Sequence, residues 1–167
     1  LLGPFGLLAG LVSVAMLAMH GGTYAAMKCG APLSDRAAAA ARMAAVAFMV
    51  LFTLAGVFVA MGSDALVITS PVDPSGPSNP LGKTVEMVRG GWMRNYSTYP
   101  WIMAAPVAAY VGALGVLLLV RTRQGLAFIA SAIAVAATIC TVGFSLYPFL
   151  LPSSLNPAAS LTIWDAS

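Results

Sequence analysis

Four apolar runs, each long enough to cross a bilayer, govern what this chain can fold into. They cover residues 5–27, 37–61 (most apolar from 43), 101–120 and 126–150. A helix needs about 20 residues to span the hydrocarbon layer. Unpaired backbone polar groups are costly there, and no strand alternation is visible, so each run should be a helix. The expected fold is all-α, a polytopic membrane protein. Its four-helix bundle forms one membrane domain over 1–167, with a long outer loop at 62–100.

Composition agrees. Only 8% of the residues are charged, against about 25% in soluble domains, whose surfaces must face water. Mean hydropathy is +0.91, and lipid is the natural solvent for such a surface. The net charge of +3 is small and divided among loops, which argues against a nucleic-acid partner.

The loops predict an orientation. Lys28, Arg36, Arg42, Arg121 and Arg123 flank the two short connections and face only Asp35. That side should be cytoplasmic by the positive-inside rule. The long connection balances Lys83, Arg89 and Arg94 against Asp64, Asp73 and Glu86, and the tail after Tyr147 has no Lys or Arg. Both ends of the chain should therefore lie on the outer, periplasmic face.

Within the long loop, residues 70–80 (SPVDPSGPSNP) should be extended, because Pro fixes φ and removes donors. Asn79-Pro80 reads as an N-cap and first helical position. Leu81, Val85, Val88 and Trp92 then recur at helical spacing, predicting a short amphipathic helix over 80–95 with those four on its buried face. Trp92, Tyr96, Tyr99 and Trp101 cluster where the chain re-enters the membrane. Such aromatics anchor the interface, and stacking on a quinone is the functional alternative.

Chemistry is sparse. Ionisable groups inside spans mark proton paths and cofactor sites, and His20 is the only one here. A bis-His haem needs a second His. Met16 and Met19 share His20's helix and cannot supply the opposite axial position, so a hydrogen bond to a neighbouring helix is the plainer reading. Ser13, Thr23, Thr53, Ser131, Thr138, Thr141 and Ser145 can bond across helices or to their own carbonyls. Gly6-xxx-Gly10 and the Ala-rich faces permit close packing. Cys29 and Cys140 fall at different depths, as packing residues rather than a disulfide or metal pair. No catalytic, cofactor-binding or metal-ligating residue is assigned. The start, Leu1-Leu2-Gly3-Pro4, has no initiator Met, charged region or cleavage site and is not a signal peptide. The expectation is an interior piece of a longer subunit.

The tail is the most specific stretch: Tyr147-Pro148-Phe149-Leu150-Leu151-Pro152-Ser153-Ser154, Asn156-Pro157-Ala158, and Ser160 to Ser167 (SLTIWDAS). With Pro4-Phe5-Gly6-Leu7-Leu8-Ala9-Gly10, His20-Gly21-Gly22-Thr23-Tyr24 and Ser78-Asn79-Pro80-Leu81, it resembles subunit II of the cytochrome bd-type quinol oxidases, the cyanide-insensitive branch included. The resemblance runs through essentially the whole chain. It implies an accessory, structural subunit of a terminal oxidase of the bacterial cytoplasmic membrane, which oxidises quinol and reduces oxygen to water. Each subunit of that family has two four-helix bundles and a peripheral helix, and this chain corresponds to the second bundle. The implied partners are membrane lipid, a subunit I carrying the haem b and haem d-type groups, and the quinone that some members hold in subunit II. The family's proton-entry acids lie upstream of Leu1, so no site residue carries over. Two other readings stand beside it. A four-helix transporter half is opposed by the missing intramembrane carboxylate, and a four-helix cytochrome b by the single His.

Overall fold

A computed structural model describes residues 3–72, 79, 82–153 and 155–165. Four helices are long and apolar enough to span a membrane: α1 (Pro4–Lys28), α2 (Leu33–Ala60), α4 (Ala104–Leu119) and α5 (Gln124–Leu146). The third span includes a 3-10 turn at Pro100–Met103 ahead of α4. The chain is a helical, multi-pass membrane protein. Pro4 starts α1 where its missing N–H costs nothing. The helix α5 ends at Leu146, four residues before the apolar run does, because Pro148 disfavours helical geometry at Tyr147 and cannot donate.

Backbone contacts divide the chain into two compact units: Leu1–Val57 with Met103–Thr141, and Phe58–Ile102 with Val142–Ser167. The first is a helix bundle. Its buried stripes follow the 3.6-residue period: Val12, Ala15, Met16, Met19, Thr23 and Ala26 on α1; Ala38, Ala41, Ala45 and Phe48 on α2. On α4 they are Ala105, Ala109, Gly112, Ala113 and Val116, and on α5 Ala127, Ser131, Ala134 and Thr138. Lipid tails are as apolar as Leu, so helix association relies on close packing and hydrogen bonds rather than on hydrophobic burial. Small residues supply the closeness. A Cβ on Gly22 would stand 3.0 Å from Ala41 Cβ, and one on Gly112 only 2.6 Å from the Ala130 carbonyl oxygen. The larger apolar residues, such as Leu11, Leu17, Val111 and Leu118, are exposed.

Gly10, half of the small-residue motif noted in the sequence, would meet nothing with an added Cβ. The packing seams use Gly22, Gly112 and Gly115 instead. Cys29 and Cys140 are both free thiols.

The second unit departs most from expectation. Among the described residues, no single helix runs through 82–95. Instead β1 (Asp64–Ile68) pairs antiparallel with β2 (Val85–Arg89), with Asp64 opposite Arg89 and Ile68 opposite Val85. A 3-10 turn follows at Gly91–Met93, and α3 occupies only Arg94–Thr98. The physical reason lies in the residue types. Thr84, Val85 and Val88 are β-branched, and Gly90 sits at φ +74°, where a helix cannot continue. Val88 is exposed and Val85 half-buried, and Leu81 lies outside the described residues. Pro80, the expected first helical position, and most of the extended stretch at 70–80 also lie outside the described residues, while the Asn79 carbonyl accepts from Gly82 N at 3.0 Å. A second small sheet pairs β3 (Phe149–Leu151) with β4 (Leu161–Thr162). The fold is thus the expected helical, polytopic one, with two small two-stranded sheets in place of the expected loop helix.

Candidate functional site

His20 lies on α1 and reaches α5. Its Nδ1 is 2.8 Å from Ser131 Oγ, which is 2.9 Å from Thr23 Oγ1. Thr23 also donates to the His20 carbonyl at 2.7 Å, and Ser131 to the Phe128 carbonyl at 2.7 Å. Thr23 and Ser131 are fully buried, and the imidazole stacks on Phe128 with centroids 4.9 Å apart at 24°. Each hydroxyl carries one proton. Thr23 and Ser131 therefore share two protons among four contacts, and the tautomer of His20 decides whether Nδ1 donates to Ser131 or accepts from it. So the histidine does bond a neighbouring helix, as expected.

This donor set does not fit a bis-His haem. The chain holds one His, so it offers no second imidazole for the opposite axial position, and Phe128 stacks on a face of the ring. Among the described residues no three His, Cys, Asp or Glu side chains gather as a metal site.

Other polar side chains stitch the bundle in the same manner. Thr53 of α2 meets Tyr110 of α4 at 2.7 Å, and Gln124 of α5 donates to Ser34 of α2 at 2.9 Å. Ser34 in turn donates to the Ala26 carbonyl at 2.8 Å, satisfying one of the orphan acceptors at the end of α1. Ser13, Thr138 and Thr141 bond back to carbonyls four residues earlier.

The aromatic cluster takes up structural contacts in the second unit. The Trp92 indole N–H donates to the Asp64 carbonyl at 3.0 Å, and Tyr96 and Ser145 hydroxyls meet at 3.1 Å. Trp101 packs edge-on against Phe144 at 5.4 Å while staying 66% exposed, the position of an interfacial anchor. Asn95 between them donates to the carbonyls of Phe144 (2.8 Å) and Tyr147 (2.6 Å), capping the end of α5.

The sequence reading missed one charged constellation altogether. Lys83 Nζ lies 2.6 Å from Asp165 Oδ2, with both side chains almost fully buried. The same oxygen accepts from Thr162 N at 3.0 Å and Thr162 Oγ1 at 2.7 Å. Burial works to raise the Asp165 pKa, but the Lys83 and Thr162 hydrogen bonds and the Lys83 charge outweigh it, holding the carboxyl below its ordinary range. The only available signal was that Asp165 is the sole charged residue after Arg123.

Over residues 1–167 the chain matches the family model described as cytochrome bd terminal oxidase subunit II. It is 42% identical to cytochrome bd-I ubiquinol oxidase subunit 2 of Escherichia coli (strain K12), and 38% identical to the probable cytochrome oxidase subunit 2 of Haemophilus influenzae. Each alignment covers 100% of this chain and 44% of the relative, so the chain spans less than half the length of the curated relatives it matches. A membrane bundle held by small residues and interhelical hydroxyls, matched from end to end in this way, belongs to the cytochrome bd terminal oxidase subunit II family.

Proposed function

We propose that this chain is the second four-helix bundle of an accessory, structural subunit in a terminal oxidase that oxidises quinol and reduces oxygen to water. The match to subunit II over every residue carries the reading. The family and the four apolar spans make the chain a multi-pass inner-membrane protein. The transporter alternative finds no support in either.

In this reading the haem b and haem d-type groups sit in the partner subunit I, where quinol is also oxidised. This bundle supplies scaffold and lipid-facing surface, with a bound quinone as a further ligand of the subunit. The His20–Ser131–Thr23 cluster then has a structural task, clamping α1 to α5. A His20→Gln variant of the intact oxidase should keep its full haem complement and optical spectrum. Stability should fall by about 1 kcal/mol, the net worth of one hydrogen bond. Loss of one haem from an assembled complex would give this bundle a redox role and overturn the reading.

The proposed orientation puts the β1–β2 hairpin in the periplasm. Met87 is 62% exposed on β2 and makes a suitable reporter. With Cys29 and Cys140 replaced, Met87→Cys should react with an impermeant thiol reagent in sealed cells, whereas Arg123→Cys should react only once the membrane is opened. The opposite pattern would invert the topology.

A further inference from the structure

A cavity of about 390 Å³ in the bundle unit is lined by Asp35, Ala38, Arg121 and Gln124. We infer that it is a headgroup site for a zwitterionic aminophospholipid, of the phosphatidylethanolamine class. Asp35 lies in the first turn of α2, Gln124 is the first residue of α5, and Arg121 sits in the turn after α4. All three stand where spans leave the hydrocarbon, at the depth of lipid headgroups. The Gln124–Ser34 hydrogen bond of 2.9 Å and the buried Ala38 fix the floor between α2 and α5.

The charges choose the lipid. Among the described residues Asp35 and Arg121, both exposed, pair neither with each other nor with any other ion, although they line one open cavity. An Arg guanidinium binds phosphate oxygens through charge-assisted hydrogen bonds, and basic pockets between spans hold lipid headgroups. The N-terminus of α5, opening at Gln124, adds partial positive charge on the same side. A purely anionic headgroup would leave Asp35 facing negative charge. A primary ammonium beside the phosphate gives that carboxylate its partner and can donate to it, which a quaternary ammonium cannot.

The test uses the assembled, purified oxidase in native mass spectrometry, after exchange into defined lipid. The probes are phosphatidylethanolamine, phosphatidylglycerol and phosphatidylcholine, with soluble phosphoethanolamine as competitor. The wild-type complex should hold one more phosphatidylethanolamine than the Arg121→Gln complex, whose retention at this site should be about tenfold weaker. Asp35→Asn should lose the preference for ethanolamine over choline while still binding phospholipid. Arg123→Gln, outside the cavity, should match wild type. Displacement by soluble phosphoethanolamine alone would assign the site to a small zwitterion and overturn the lipid assignment. Equal lipid counts in wild type and Arg121→Gln, or unchanged headgroup preference in Asp35→Asn, would overturn the site itself. Arg121→Lys keeps the charge and should restore most of the retention, separating lost binding from misfolding.

Discussion

Replacing Gly112 with Val is expected to cost the assembled oxidase most of its yield in the membrane, or lower its unfolding temperature sharply. Gly112 lies in the middle of α4 and faces α5. An added Cβ would stand 2.6 Å from the Ala130 carbonyl oxygen, 2.8 Å from Ala134 N and 2.9 Å from Ala134 Cβ. Two of those atoms are backbone, so no rotamer change can relieve the clash and the helices must separate. Overpacking a tight core costs roughly 1–3 kcal/mol and occasionally more. In lipid no hydrophobic driving force holds the helices together once this close packing is lost, because acyl chains are as apolar as the faces they would cover. Two comparisons isolate the effect. Gly10→Val places its side chain in open space on α1 and should be nearly silent. Gly115→Ala meets only the Ala130 side-chain methyl, at 2.8 Å, and should fall between the two. Thermal unfolding of the detergent-purified complex, read beside its haem absorbance, ranks all three. A Gly112→Val complex as stable as wild type would mean that α4 and α5 do not meet along this seam.

The spans were legible because hydropathy and length are properties of a single segment, and a bilayer leaves a 20-residue apolar run little alternative to a helix. What joins the spans was not. His20 is visible as the one ionisable group in the hydrocarbon, yet its partner Ser131 is 111 residues away and looks like any other intramembrane serine. The small-residue seams were read at Gly6 and Gly10, where the spacing is familiar, while the close approaches fall at Gly22, Gly112 and Gly115. Spacing alone does not say which face of a helix meets a neighbour. The long loop between the second and third spans misled for another reason. Leu81, Val85, Val88 and Trp92 mimic a helical period, but a hairpin needs a second strand, and Asp64–Ile68 fell in the long loop at 62–100 with no expected structure of its own. The β-branched residues around 84–88 and the Gly90-Gly91 pair were the local signals for a strand. They outweigh a four-point periodicity, because the positive φ that Gly90 adopts ends helical geometry there.

Asp165→Asn should loosen the whole second unit, because it removes the carboxylate charge 2.6 Å from the buried Lys83 ammonium. The side chains of Lys83 and Asp165 are 4% and 7% exposed, and their ion pair joins the loop after β1 to the turn after β4. Removing one partner of a buried pair costs on the order of 3–5 kcal/mol, mostly the penalty of the stranded charge. The double change Lys83→Met with Asp165→Asn removes that charge and should recover much of the loss, which a merely local role for either residue would not produce. Hydrogen exchange at Val85–Arg89 and Phe149–Leu151 in the intact complex reads the effect where it arises. The pH dependence has a fixed sign. Asp165 titrates below its ordinary value in the folded protein, so its contribution is complete above the unfolded carboxylate pKa of about 3.9. It is lost as pH falls from there through the lower folded value. The gap in protection between wild type and Asp165→Asn should therefore be constant near neutrality and close only below about pH 4. A gap that closed between pH 5 and 7 would assign the effect to some other group.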